Sequence, residues 1–458
     1  MVLQELRELG PWIVPLLLLA ATAFLGWLWL IRRPATALAI LLLGLPLHTV
    51  VFQVVSAHLP ELVVMGLRLW REALLLALVI GVIRQWRVAW QGAATLWPVF
   101  LTLGLFGVTL LAGVGRAESG LMALRGLRLA TVPLAVFAIC LFLPYSLSEL
   151  DGLVRALLYM GALVSLFALY QGYVLGPSFL WRYFEVGGRL PSSFEIGGSP
   201  VQRLMGTFSS PNQLALYLVF MTMLAATRVL TVRRAQLGLF GAAALYLLVL
   251  ALTVSRSGWA ALALGGAALA LLWWHRWELW AALVALVGLG LGVMAQRGLL
   301  ARLPDLVSLQ EVSAAYHVAR GWENLQTIWR NPLGAGLGSA GALSRAAADA
   351  GLLEVRYPTE SFLLQIGLQQ GIPGMVAFGA LVFVVAVGLM RGLRSVRQPV
   401  ARALTLAALA SLAGAMVHAV MNVDLQDIAV QSYLWFLVAM GLRMPALEAA
   451  EREGTEGV

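Results

Sequence analysis

Arg203 and Arg256 are the residues whose type and setting first suggest chemistry. Arg203 opens the run Arg203-Leu204-Met205-Gly206-Thr207-Phe208-Ser209-Ser210-Pro211-Asn212. Ser-Pro-Asn reads as a turn and N-cap at a helix start, so a guanidinium and a helix N-terminus both favour an anion there. The structural alternative is a capped helix with Arg203 snorkelling to an interface. Arg256 stands in Ser255-Arg256-Ser257-Gly258, between two apolar runs too close to leave much loop. An arginine at that depth tends to face a watery cavity or an anionic partner, or else to anchor at the interface. Tyr357-Pro358-Thr359-Glu360-Ser361 leads into another apolar run. Thr359 or Ser361 could cap that helix, which would put Glu360 at or near its first turn, where the helix dipole favours a carboxylate.

Further groups surround these. Arg68 with Arg71, next to Glu72, and Arg125 with Arg128 are spaced by three residues, so each pair shares one helix face. Internal ion pairing is the plain account of them. Together with Arg203, Arg256 and Arg320 they could also line an electropositive cavity fit for a phosphate or pyrophosphate. Val312, Ala315, Ala319, Trp322, Leu325 and Trp329 recur at helical spacing, opposite a face carrying Tyr316, His317, Arg320, Glu323 and Asn324. That stripe suits a helix lying on the membrane surface or packed over the spans, and His317 alone carries no chemistry. Asn331-Pro332-Leu333-Gly334-Ala335-Gly336-Leu337-Gly338 follows, where proline stops the helix and glycines allow tight turns or close approach to a ligand. It is not a dinucleotide fingerprint, since no strand precedes it. Gly371-Ile372-Pro373-Gly374 should kink or interrupt the long apolar segment 361–390.

The elements that position these residues follow from composition. The chain has 458 residues, of which 61% are hydrophobic and 12% charged. Soluble domains are about 25% charged, so too few polar side chains exist to coat a water-exposed surface. The expectation is an all-α polytopic integral membrane protein with about 12–14 transmembrane helices and one large helical loop on the non-cytoplasmic side. Candidate spans are about 11–31, 35–55, 62–83, 93–113, 121–143, 152–175, 211–230, 236–254, 257–274, 278–295, 361–390, 403–422 and 428–443. The organisation read from them is residues 1–175 as N-terminal helices and 176–210 as a non-cytoplasmic loop, periplasmic if the resemblance described below holds. Residues 211–295 are central helices, 296–360 the large loop with its amphipathic helix, and 361–458 the C-terminal helices with a short cytoplasmic tail. The single cysteine excludes a disulfide framework and a cysteine-based metal site. The first ten residues carry mixed charge with no cleavage site after the following apolar run, which therefore reads as a span.

The net charge of +9 comes entirely from arginine; there is no lysine, a sign of compositional bias. Placement is a separate matter. Arg32, Arg33, Arg84, Arg87, Arg228, Arg233, Arg234, Arg276, Arg391, Arg394, Arg397 and Arg402 fall in alternate short loops. The positive-inside rule makes those loops cytoplasmic. The loop 176–210, the junction at Ser255-Arg256 and the loop 296–360 then share the opposite face.

Arg203-x-x-Gly206-Thr207-Phe208-x-x-Pro211-Asn212, then Ser255-Arg256, then Arg320-x-Trp322 leading to Pro332-Leu333-Gly334-x-Gly336, then Glu360-Ser361 and Gly371-Ile372-Pro373-Gly374, resembles the O-antigen ligase and Wzy polymerase superfamily. The motifs cover about 200–374 well, and the span layout fits loosely. The resemblance implies an inverting, metal-independent glycosyltransferase of a bacterial inner membrane, serving lipopolysaccharide or other polysaccharide synthesis. Its donor would be a glycan on undecaprenyl pyrophosphate, its acceptor a hydroxyl of a glycan or lipid-linked glycan. No cofactor, nucleotide sugar or nucleic acid is implied, and a chain-length regulator is a possible partner besides membrane lipids.

By residue, the resemblance assigns Arg203 and Arg256 to the pyrophosphate, with Arg320 orienting it and Arg68, Arg71, Arg125 and Arg128 in support. Asn212, Ser255, His317 and Ser361 are supporting candidates. In one respect the chain departs from the pattern: ligases usually place a catalytic histidine where Glu360-Ser361 stands. A glutamate whose pKa is raised by burial can also deprotonate a hydroxyl, so the chemistry survives while the acceptor becomes open between ligation and polymerisation. A flippase for lipid-linked saccharides is the alternative, but it would be expected to show paired broken helices. A peptidoglycan polymerase of the SEDS kind would want a catalytic aspartate such as Asp305 or Asp349, and its motifs do not match.

Overall fold

A computed structural model describes residues 25–85, 94–184, 193–196, 199–231, 236–272, 288, 292, 312–341, 344 and 357–456. The fold is an all-α bundle. Seven helices among these residues are long and apolar enough to cross a membrane: Pro34–Ser56, Trp97–Gly115, Gly120–Phe142, Leu147–Leu175, Pro211–Thr231, Phe362–Ser395 and Pro399–Met421. Leu237–Leu252 and Arg256–Leu272 are shorter apolar helices. The chain is a multi-pass membrane protein. The expected spans 11–31 and 278–295 lie largely outside the described residues.

In chain order the elements are α1 Pro34–Gly44, α2 His48–Ser56, α3 Glu61–Arg68, α4 Trp70–Arg84, α5 Trp97–Gly115, α6 Gly120–Phe142, α7 Leu147–Tyr170 and α8 Gly176–Phe184. After a two-stranded hairpin come α9 Pro211–Thr231, α10 Gln236–Leu252, α11 Arg256–Leu272, α12 Val312–Arg330, α13 Phe362–Ser395, α14 Pro399–Met421 and α15 Ile428–Glu456. The hairpin pairs β1 (Ser193–Ile196) with β2 (Ser199–Gln202) antiparallel, inside what the sequence suggests only as a loop. The segment expected to span at 62–83 is two helices, with Leu69 leaving helical geometry between α3 and α4.

The centre of the bundle is α9, α14 and α15. On α15, Tyr433, Leu434, Phe436, Leu437 and Val438 are wholly buried, so this helix is enclosed by protein although its apolar run is short. Close packing here relies on small residues, because lipid gives helices no hydrophobic reason to associate and van der Waals contact must do it. A Cβ on Gly265 of α11 would stand 2.7 Å from the Ala410 carbonyl of α14, and one on Gly414 of α14 would stand 2.6 Å from that of Ala261. The two backbones therefore touch at reciprocal glycines.

The ends of the bundle differ in chemistry. At one end, Glu448 accepts from the backbone N–H groups of Arg397 and Gln398, 2.9 and 3.2 Å away, and pairs with Arg452. Asp151 at the same end pairs with Arg228 at 2.6 Å and with Arg155 at 3.3 Å. These include basic loops that the sequence assigns to the cytoplasm. The other end gathers the starts of α9, α11 and α13, the glycine-rich loop and the turn 422–427.

Candidate functional site

Between α10 and α11 the chain turns in three residues. Val254 takes φ 50°, a left-handed conformation that costs a β-branched residue of the order of 1–3 kcal/mol. Ser255 caps α11, its Oγ accepting the Gly258 N–H at 3.1 Å, and Arg256 becomes the first helical residue, with its side chain exposed. The segment before α9 is stitched onto this turn. Leu204 N donates to Leu252 O at 3.3 Å, and Arg203 Nε donates to Thr253 O at 2.6 Å. Arg203 Nη2 donates to Asn212 Oδ1, also at 2.6 Å. Arg203, Asn212, Ser255 and Arg256 are thus assembled into one place, and Arg203 is held by backbone and amide instead of snorkelling. Burial pulls its pKa down to about 10; Asp424 works against that and Arg256 adds to it. Arg203 therefore remains a cation at neutral pH.

Ser210 starts α9 as the sequence suggests. Its Oγ accepts the N–H groups of Asn212 and Gln213, both at 3.2 Å. The same hydroxyl donates to Asp424 Oδ1 at 2.9 Å. Asp424 is a member of the site that sequence reasoning missed. The segment 423–427 holds no arginine, yet its two acids are what the arginines meet. Asp427 caps α15 through the Val430 N–H at 3.0 Å. Burial raises its pKa, while the Val430 bond and Arg71 lower it and Asp424 raises it.

Glu360 reaches this end by a different route. Ser361 is the N-cap of α13, accepting the Leu364 N–H at 3.4 Å and donating to Ala419 O at 3.1 Å. Phe362 N donates to Asn422 O at 3.1 Å, which fixes the start of α13 beside the turn carrying Asp424. Glu360 therefore lies one residue outside the helix, half-buried, and not in its first turn. Thr359 supports this by accepting the Ser361 N–H at 3.3 Å.

The second arginine group is only partly as the spacing suggests. The break at Leu69 separates Arg68 from Arg71, so the two do not share a continuous helix. Arg71 is buried and feels Glu72, Arg128, Asp427 and Arg68. Glu72 pairs with Arg128 at 2.5 Å, and Arg68 and Arg125 are exposed. Asp427 faces Arg71 and Asp424 faces Arg203, so two neighbouring acids of one turn stand between Arg71 and the pair Arg203 and Arg256.

Arg320 pairs with Glu323 across one turn of α12 at 2.9 Å. His317 lies on α12, and its side chain is outside the described residues. In the described part of the α12 stripe, Trp322 and Trp329 are 64% and 79% exposed and do not pack over the spans, whereas Asn324 and Ile328 touch the bundle. Asn324 Nδ2 donates to Pro358 O at 3.3 Å.

The glycine-rich loop approaches backbone. Gly371 takes φ 73° and ψ −167°, a break two residues before Pro373. This breaks α13 and leaves carbonyls without helical partners. Ala335 N and Gly336 N donate to the carbonyls of Leu368 and Gln369 at 2.8 and 3.0 Å, and Ile372 N donates back to Pro332 O at 2.8 Å. A Cβ on Gly334, at φ 79°, would stand 2.5 Å from Gly371 N. Two motifs that look separate in sequence are one interlocked unit that fixes the N-terminal part of α13.

Residues 241–379 match the family model of the O-antigen ligases, which bears out over that segment the superfamily resemblance read from the motifs. The match contains Arg256, Arg320, Glu360 and the interlocked glycine unit; Arg203 and Asp424 lie outside it. No curated protein matches the chain. The family and the membrane helices together support an O-antigen ligase-like membrane glycosyltransferase.

Proposed function

We propose that this protein moves a glycan from undecaprenyl pyrophosphate to an acceptor hydroxyl, with inversion, on the periplasmic side of a bacterial inner membrane. The observation that carries the reading is the meeting of Arg203 and Arg256 beside Asp424, at the bundle end opposite the basic loops. Two guanidiniums at one site match the leaving group of such a donor, and charge developing on a leaving group is where fixed cations act most strongly.

In this reaction the acceptor oxygen forms a bond to the anomeric carbon while the bond from that carbon to the pyrophosphate oxygen breaks. The electron pair leaves with the pyrophosphate, whose added charge falls on Arg203 and Arg256. Glu360 takes the acceptor's proton as general base. Asp424 favours the charged form of Arg203 and is bonded through Ser210 to the start of α9, to which Arg203 is itself joined by Asn212. Activation resides in the donor, so no cofactor is required. The lipid tail of the donor enters laterally between helices.

The test is transfer from a synthetic polyprenyl-pyrophosphate glycan by purified protein in nanodiscs, with Arg256→Ala and Glu360→Gln as variants. Each should lose at least about a hundredfold in rate. Wild-type rates in either folded variant would sink the site assignment. Product mass on a gel separates a single transfer, as in ligation, from a ladder, as in polymerisation.

A further inference from the structure

α12 meets the bundle along one edge and leaves another edge bare. Val318, Trp322, Leu325 and Trp329 fall within about 60° of one another on a helix that turns about 100° per residue. All four are exposed, as is Leu333 just past the helix end. To one side of this strip, Asn324 and Ile328 are buried against the bundle. To its other side, Glu323, Gln326 and Arg330 are exposed and polar. The helix thus has three edges: one on protein, one polar, and between them one apolar and uncovered.

Two spans fix the height of this edge. α5 has 19 residues and so runs about 28 Å, close to the roughly 30 Å of a bilayer's hydrocarbon core. Its last turn therefore marks the boundary of that core. Leu337 N donates to Gly113 O in that turn at 2.9 Å, and Ala335 N donates to Leu368 O of α13 at 2.8 Å. Ile328 stands at the same height, since a Cβ on Gly367 would come within 2.6 Å of its Cδ1. Trp329, next to Ile328 and turned away from the bundle, is thus at the boundary between core and headgroups. Val108 and Leu111 of α5 are exposed just below it, as on a lipid-facing helix, so lipid is the solvent at this height. One turn earlier, Asn324 bonds to Pro358 O, before α13 begins, so α12 rises away from the core toward its N-terminal end.

We propose that the bare edge of α12 is a lipid-binding surface seated in the leaflet at this end of the bundle, with Trp329 and Leu333 deepest and Val318 among the headgroups. Tryptophan suits that boundary, because its ring is apolar while its N–H finds acceptors at headgroup level. Arg330, exposed beside Trp329, can extend to lipid phosphates from the polar edge. The lipid contact stands without the glycosyltransferase reading. One consequence rests on that reading: Asn324 grips the carbonyl of Pro358, two residues before Glu360, so lipid against α12 sets the height of the general base.

The experiment uses the full chain in nanodiscs, with buried Cys140 replaced by alanine. Val318→Cys, Leu325→Cys and Trp329→Cys on the bare edge, and Gln326→Cys on the polar edge, are made singly and labelled with the NBD fluorophore. Lipids carrying a nitroxide on the headgroup or high on the acyl chain should quench the Leu325 and Trp329 labels at least about twofold. The Trp329 label should respond most to the acyl-chain nitroxide and the Val318 label most to the headgroup nitroxide. Iodide in the water should quench chiefly the Gln326 label. Bare-edge labels as open to iodide as the Gln326 label, and untouched by both lipids, would overturn the proposal. Protection from iodide and from both lipids would overturn it too, and would mean that protein, such as a second copy of this chain, covers that edge. In a second readout, Trp322→Gln with Trp329→Gln should lower kcat about tenfold with both KM values within about twofold, because the base is displaced and the arginines are not. Unchanged kcat would overturn the link to Glu360 and leave the lipid contact standing. Lipid quenching in a protein that transfers no glycan would uphold the contact and overturn the transferase reading.

Discussion

Replacing Arg203 with lysine tests whether the site needs a fork or only a charge. Arg203 makes two hydrogen bonds of 2.6 Å in different directions, one to the Thr253 carbonyl and one to Asn212. A lysine ammonium is a point charge and reaches at most one of them in the same pose. Hydrogen bonds to charged groups contribute about 1.5–3 kcal/mol each, so Arg203→Lys should cost roughly 2 kcal/mol of stability at neutral pH. The environment that holds the arginine down to about 10 is burial, with Arg256 adding to it. The same environment acts on a lysine, whose ordinary value is about 10.4, and carries it down toward neutrality. The sign of the pH dependence follows. For a base that binds its proton less tightly when folded, the unfolded chain holds more protons between the two values, so stability rises as pH climbs through that window. Catalysis should do the opposite, since the neutral amine no longer supports the leaving group. Thermal unfolding and initial transfer rates, measured from pH 7 to 10 on both proteins, should show the variant's relative stability increasing while its relative rate falls. At neutral pH the rate should already be down by about 10²–10³, if Arg203 stabilises charge in the transition state. A variant whose stability and rate both follow the unsubstituted protein across this range would refute the reasoning.

Other outcomes follow from the same geometry. Gly371→Ala should destabilise the protein by about 3–5 kcal/mol, since φ 73° with ψ −167° is open essentially to glycine alone and the added Cβ would land on the Pro332 carbonyl; an unfolding midpoint within a degree of the unsubstituted protein would contradict this. Val254→Gly should release left-handed strain and raise stability by about 1 kcal/mol, while transfer slows because the turn that positions Arg256 and receives Arg203 is less fixed. Ser210→Ala removes both an N-cap and the donor to Asp424, and should cost about 1–2 kcal/mol. Ser210→Thr, which keeps the hydroxyl, should restore most of that loss in the same unfolding assay.

The legible part of this protein was local. Ser210-Pro211-Asn212 is a cap because a short hydroxyl before a proline satisfies the first free N–H groups of a helix, whatever surrounds it. Gly371-Ile372-Pro373-Gly374 breaks its helix for equally local reasons. The break itself falls at the glycine, because its carbonyls have somewhere to go. Composition alone required a membrane solvent, and the order of motifs indicated a superfamily that the match over 241–379 supports.

Spacing was misleading where a contact decided the outcome. Arg68 and Arg71 look like a helical pair, but the chain leaves helical geometry at Leu69, and only Arg71 turns inward to face Asp427. The stripe of α12 is correctly periodic. Periodicity gives no direction, and its Trp322 and Trp329 face away from the bundle. Asp424 has no motif around it: it matters because α14 ends where α9 begins, 214 residues apart along the chain from Ser210. The sequence by itself determined the solvent, the caps and the break within 371–374, since those depend on composition or on neighbours a few residues away. Only the tertiary structure decided which charges meet and which glycines interlock, because burial and pairing are properties of surfaces that the chain brings together from far apart.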